Sequence, residues 1–146
     1  MDINGLLTLS TSFRTMIDEC YFLKDKIPFC WFPKGCCGTT SDLLAYYLQT
    51  NGITGINLVS GKMSYHGIDD YTHQWLEMNS TIIDITADQF KEYNRPKVYV
   101  GEKDAFYSLF SIVSSKSYDE SFELGDLNDE LPWYYMHITV RSKNNS

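Results

Sequence analysis

The chain has 146 residues, enough for a single domain with a real hydrophobic core. With 43% hydrophobic and 21% charged residues it reads as globular, and 15% aromatic residues point to a core or cleft lined with rings. A net charge of −7 with no Lys/Arg cluster argues against a nucleic-acid partner, and no apolar run approaches membrane-spanning length.

The first residues, Met1 to Leu7, lack the basic start and apolar run of a signal peptide, so a cytoplasmic location is expected. The four cysteines, Cys20, Cys30, Cys36 and Cys37, are then expected as reduced thiols. Adjacent Cys36 and Cys37 are poorly placed to bond each other, because so short a loop strains disulfide geometry. No spaced CxxC pair exists, and His66, His73 and His137 show no ligand spacing. The sequence therefore predicts neither metal nor cofactor.

In chain order, residues from about Ser10 to Lys26 predict an amphipathic helix. Phe13, Met16, Ile17, Cys20 and Leu23 or Lys24 fall on one stripe, with Ser10 or Ser12 as cap and Cys20 as a core residue. Pro28 and Pro33 bracket Phe29-Cys30-Trp31-Phe32, which reads as an extended aromatic connection. The loop Pro33-Lys34-Gly35-Cys36-Cys37 leads straight into an apolar helical pattern, Leu43, Leu44, Tyr47 and Leu48. That helix should start near Gly38 or slightly earlier and stop at Asn51-Gly52.

Ile53 to Ser60 reads as a strand, and Gly61 to Asp70 as a polar loop holding a solvated His66. Tyr71 to Met78 and Thr81 to Thr86 predict a β-hairpin around Asn79-Ser80. With that turn, Met78 faces Thr81 and Trp75 faces Asp84. His73 and Asp84 then share a face as diagonal neighbours, roughly 7 Å apart at Cβ, within reach of a carboxylate–imidazole hydrogen bond. A slip of one residue would put them on opposite faces. Asp84 stands between Ile83 and Ile85, where a carboxylate needs a partner: the histidine, or else a salt bridge or backbone donors.

Ala87 to Pro96 reads as a turn or helical turn, Lys97 to Gly101 as a strand, and Asp104 to Ser114 as a helix capped by Asp104. Tyr118 to Glu130 carries six acids and no base, a solvated acidic loop or a contact surface for a basic protein partner. Trp133 to Arg141 is aromatic and then β-branched, and is expected as a last strand carrying His137. Residues 142–146 are expected as a frayed tail.

A thiol at a helix start lies where free N–H groups and the helix dipole favour negative charge. The alternative for the double cysteine is a loop entering a core helix with two buried thiols. A strand histidine and a strand aspartate supply a base and its orienter, the remaining parts of a cysteine nucleophile's machinery. The N–H groups of the helix start, that of the cysteine included, are candidate oxyanion donors.

Three runs, Phe32-Pro33-x-Gly35-x-Cys37-Gly38-x-x-Ser41-x-Leu43-Leu44, His73-x-Trp75-Leu76-Glu77 and Ile82 to Phe90, resemble the transglutaminase-like branch of the papain-like cysteine enzymes. The likeness is to small bacterial proteins with this Cys–His–Asp order and spans about Phe32 to Gly101. The same order also resembles arylamine N-acetyltransferases, which are larger and have an arginine-rich approach to the cysteine that this chain lacks.

The resemblance implies an α+β fold with the catalytic helix packed on an antiparallel sheet. It selects Cys37 as nucleophile, since the family's cysteine directly precedes the glycine, with His73 as base and Asp84 as orienter. Papain-like enzymes often place an oxyanion glutamine before the cysteine, and none stands there. Trp31, Gly38, Gln74 and Trp75 are the positions considered for oxyanion or substrate contact, while Gln89 and Phe90 are expected to pack or to bind backbone.

The expected function is a thiol enzyme without a cofactor, a peptidase, deamidase or acyl transferase, acting on a peptide or protein. The competing expectations are a binding or inhibitor protein that uses the acidic segment, and a plain structural domain.

Overall fold

The computed structural model describes residues 2–26, 29–65 and 69–144. The expectations for Pro28, for His66 and for the last two tail residues lie outside them.

The first helix, α1, spans Ile3–Asp18, earlier at both ends than its apolar stripe suggests. The Asp2 side chain caps it, accepting from the Gly5 N–H at 2.8 Å. Leu6, Phe13, Arg14 and Ile17 turn inward on one face. The helix stops where Cys20 takes an extended conformation, and a 3₁₀ turn at Tyr21–Asp25 follows. Cys20 is buried, as its place on the stripe predicts. Phe29–Trp31 is a second 3₁₀ turn, not an extended connection, and its Phe29 ring enters the core. The Phe32–Pro33 peptide is cis.

The helix α2, Cys37–Thr50, begins one residue before Gly38 and ends at Asn51, with Gly52 at φ +86°. It packs against the middle of a five-stranded antiparallel sheet. The strands are β1 (Asn57–Tyr65), β2 (Asp69–Met78), β3 (Thr81–Asp84), β4 (Tyr99–Gly101) and β5 (Ser111–Ser117), in the order β4-β3-β2-β1-β5. The protein is thus α+β, with a helix laid on an antiparallel sheet.

The expected loop after Ser60 is corrected, because β1 continues through Gly61 to Tyr65. Gly61 marks close packing and not a turn: a Cβ there would come within 2.9 Å of Phe110 and 3.2 Å of Trp75. β5 shifts register against β1 at the same place, between Ser60 and Gly61. The hairpin has the expected register, with Met78 opposite Thr81 and Leu76 opposite Ile83. Asn79 and Ser80 both take positive φ, 48° and 69°, the geometry of a tight hairpin turn.

Two other elements differ from expectation. Residues 104–114 form no helix: Asp104 caps only a short turn at Tyr107–Leu109, accepting from the Tyr107 N–H, and the chain then extends as β5. Phe106 and Phe110 instead fill the core on one face of the sheet. Trp133 to Arg141 is helix, not strand. It belongs to α4, Leu131–Asn144, which also takes in residues 142–144 of the expected frayed tail. Leu131, Tyr134 and Ile138 repeat at helical spacing on its buried face, and this packing overrides the β-propensity of the residue types.

The acidic segment is partly ordered. Phe122 and Leu124 are buried, α3 (Leu124–Leu127) starts with a Glu123–Asp126 capping box, and Tyr118 donates to Asp42 of α2 at 2.5 Å.

Alternation along β2 separates two cores. Leu76 faces the helices, with Leu43, Leu44 and Leu48 of α2. Trp75 faces a second, aromatic cluster with Phe90, Phe106, Tyr107 and Phe110. His73 shares Trp75's parity, and its ring contacts are Trp75, Phe90 and Phe110.

Candidate active site

The centre of the site is a buried imidazole–carboxylate pair. β3 pairs with residues 76–78 of β2 and ends at Asp84, so the aspartate side chain lies diagonally beside His73. His73 Nε2 is 2.7 Å from Asp84 Oδ2, and the two residues are 0% and 2% exposed.

The hairpin alone does not satisfy Asp84. The Thr86 N–H donates to Oδ1 at 2.9 Å, and the Tyr107 hydroxyl donates to Oδ2 at 2.8 Å. Burial works to raise the Asp84 pKa, but the imidazole's charge and these donors prevail, and the carboxyl is held below its ordinary range. Burial also pulls His73 down, yet the Asp84 charge and hydrogen bond, with a further contribution from Cys37, push it up to about 9. Burial raises Tyr107, and the neighbouring carboxylate raises it further, so it remains a neutral donor.

Cys37 is half-buried at the first position of α2, close enough to His73 to contribute to the rise in the imidazole's pKa. Asp84 occupies Nε2, so Nδ1 is the ring nitrogen that the carboxylate does not hold. The first intrahelical bond runs from Thr40 N to Cys36 O, and the Cys36 side chain caps nothing. The N–H groups of Cys37, Gly38 and Thr39 therefore have no acceptor in the helix and are open to an anion beside the thiol.

The two adjacent thiols differ. Cys36 is 2% exposed, lies 3.5 Å from the Pro33 carbonyl, and is pushed up to about 11 by burial. A thiol so placed is inert near neutral pH.

The other positions considered in the sequence separate as well. Gln74 bears on Gly38: its Nε2 donates to Ser60 Oγ at 2.7 Å, and its Oε1 occupies the space a Cβ on Gly38 would need. Gly38 is thus the close-approach point that seats α2 on β2. Trp75 packs in the aromatic cluster, and its indole N–H has no partner among the described residues. Trp31 is 69% exposed on its turn.

Two residues for which no chemical role was expected touch the site. Tyr107 holds Asp84 from 23 positions away, inside an expected helix that does not form, and no local pattern marks it. Gln89 lies with Nε2 3.3 Å from His73 Nδ1 and 3.0 Å from the Thr86 carbonyl. Its only signal is its place in the tight turn after Asp84.

Behind this turn, Arg14 of α1 pairs with Asp88 through both terminal nitrogens at 2.9 Å and donates to the Ile85 carbonyl at 2.7 Å. Its guanidinium also lies over the Phe32 ring at 4.7 Å, so a single side chain ties the cysteine loop to the turn that carries Gln89.

Among the described residues no cluster of His, Cys, Asp and Glu is arranged to hold a metal, and no helix is long and apolar enough to cross a membrane. Comparison with known proteins finds no family model, curated protein or solved structure that matches the chain.

Proposed function

We propose that the chain is a cysteine-dependent enzyme acting on amide or thioester bonds through an acyl-cysteine intermediate, on a papain-like core of the transglutaminase-like kind. Cys37 is the nucleophile, His73 the general base and Asp84 the orienting carboxylate. The observation that carries this reading is the fully buried His73–Asp84 pair, at 2.7 Å, whose imidazole is influenced by the half-buried Cys37 thiol at the start of α2. A buried ionisable pair costs folding free energy unless its surroundings satisfy it. Here Thr86 and Tyr107 satisfy the carboxylate, and Nδ1 is the imidazole nitrogen not committed to Asp84.

In the reaction the Cys37 proton passes to His73 Nδ1 as sulfur bonds the substrate's carbonyl carbon. The C=O π pair moves to oxygen, next to the open N–H groups of Cys37 and Gly38. On collapse the C–N or C–S bond breaks, and the leaving group takes the proton from Nδ1. Water or an amine, deprotonated by His73, then releases the acyl group. Which of the two arrives decides between peptidase or deamidase and acyl transferase. The described cysteines are all free thiols.

Labelling with a thiol-reactive electrophile at neutral pH, mapped by peptide mass, tests the assignment. Cys37 is the expected site in the folded protein. The label is lost in Cys37→Ala and kept in Cys36→Ala. Undiminished labelling of folded Cys37→Ala at neutral pH would refute the nucleophile assignment.

A further inference from the structure

Gln89 rests on the same ring nitrogen that the proposed reaction has to use. Its Nε2 is 3.0 Å from the Thr86 carbonyl and 3.3 Å from His73 Nδ1. A carbonyl only accepts, so Thr86 settles which end of the amide points inward: the NH₂ group, with one hydrogen for Thr86 and one for the imidazole. Asp84 fixes the imidazole by the same logic. An ionised carboxylate only accepts, so a neutral ring carries its hydrogen on Nε2 and shows a lone pair at Nδ1. An amide N–H aimed at that lone pair makes a hydrogen bond. Aimed at the Nδ1–H of an imidazolium, it sets two donors face to face. In this geometry the Gln89 bond and a proton on Nδ1 exclude each other.

We propose that Gln89 is a latch on the proton-accepting nitrogen of His73 and, once released, a side-chain donor to the substrate's oxyanion. This rests on the acyl-cysteine reading above. While the ring is neutral, one amide hydrogen is held by Thr86 and the other by Nδ1. A substrate carbonyl seated beside Cys37 offers the second hydrogen an acceptor that gains negative charge as attack proceeds. The amide pivots on its Thr86 bond to that oxygen, and Nδ1 is freed to take the thiol proton while sulfur bonds carbon. When the oxyanion collapses and the leaving group carries the proton away from Nδ1, the amide returns. The same amide N–H thus competes with the thiol proton for Nδ1 while the ring is neutral and stabilises charge once substrate is bound.

Among the described residues the titratable groups facing the pair are few. Asp84 from β3, backed by Tyr107, favours the imidazolium, and Gln89 opposes it. Cys36 lies beside Cys37, with the Arg14–Asp88 pair acting on it from behind. The aromatic rings around His73 are the uncharged Trp75, Phe90 and Phe110.

The test uses two rates that a merely structural role would move together and a latch moves in opposite directions. The first is the reaction of Cys37 with a small aromatic disulfide, which has no carbonyl oxygen, followed from acid to neutral pH. The second is acylation of Cys37 by a nitrophenyl ester or thioester. In Gln89→Ala, the acid limb of the disulfide reaction moves to lower pH, giving labelling on the order of fivefold faster on that limb. Acylation falls roughly a hundredfold. Gln89→Glu, of the same size, places an acceptor opposite Nδ1–H. It shifts the limb in the same direction and equally lacks the donor, so it decides the matter if the alanine variant folds poorly.

A parallel fall in both rates, or an unmoved acid limb in both variants, overturns the latch. An acylation rate unchanged by either variant overturns the donor role. Disulfide labelling that maps away from Cys37 in the unaltered protein overturns the acyl-cysteine reading itself, a failure distinguishable from that of Gln89.

Discussion

Adding one methyl group at Gly38 probes how α2 is seated on the sheet. An ideal Cβ there lies 2.2 Å from Gln74 Oε1 and 3.4 Å from Gln74 Cδ, so the first contact is about 1 Å too close. Two movements relieve it. Gln74 can swing away, breaking its 2.7 Å hydrogen bond to Ser60 at a cost of about 1 kcal/mol. Otherwise the first turn of α2 rises by about 1 Å, which carries Cys37 off His73 and slows chemistry about a hundredfold. Against either penalty stands the gain of alanine over glycine in a helix, up to about 1 kcal/mol. In Gln74→Ala no clash remains and only the gain survives. Gly38→Ala should therefore be neutral to about 1 kcal/mol destabilising alone, and stabilising in the Gln74→Ala background. The coupling between the two positions should be about 1–2 kcal/mol. Urea unfolding of the four proteins measures it, and the Cys37 labelling rate shows which movement occurs. Equal stabilisation by Gly38→Ala in both backgrounds would refute the seating argument.

Removing the Tyr107 hydroxyl with Tyr107→Phe leaves Asp84 Oδ2 with His73 alone and should cost about 1–3 kcal/mol in denaturant unfolding, with the aromatic packing kept. Arg14→Ala strips Asp88 and the Ile85 carbonyl of a buried partner and should destabilise by about 3 kcal/mol, with a matching fall in thermal midpoint. Stability should also depend on pH in two directions. The folded pKa of Asp84 lies below its unfolded value, so its contribution is present above about pH 4 and lost as pH falls through the folded value. The folded pKa of His73 is raised to about 9, so its contribution is full below its unfolded value of about 6.5 and lost as pH climbs through about 9. Asp84→Asn should flatten the acid limb of a stability–pH curve. An unchanged limb would mean that other carboxylates set it.

The hairpin and the helix start were legible in the sequence because their physics is local. Two residues tolerant of positive φ between alternating runs fix the register, and the register places His73 diagonal to Asp84 by parity alone. The apolar spacing after Cys37 predicts where α2 begins, and with it the open N–H groups beside the thiol. Gly61 misled because a strand glycine that makes room for Phe110 looks the same in sequence as a turn glycine.

The rest depends on long-range packing. Residues 133–141 carry β-formers, yet Tyr134 and Ile138 gain more from burial in the helical core than the residue types lose in helical form. Tyr107 and Gln89 come to the buried pair through packing and a turn whose geometry no spacing rule encodes. That a thiol, an imidazole and a carboxylate are available and in phase is readable from the residues alone, because strand alternation and helix caps act over a few residues. How the imidazole and carboxylate are held, and what rests on the imidazole's free nitrogen, depended on contacts between distant segments that form only once the whole chain has packed.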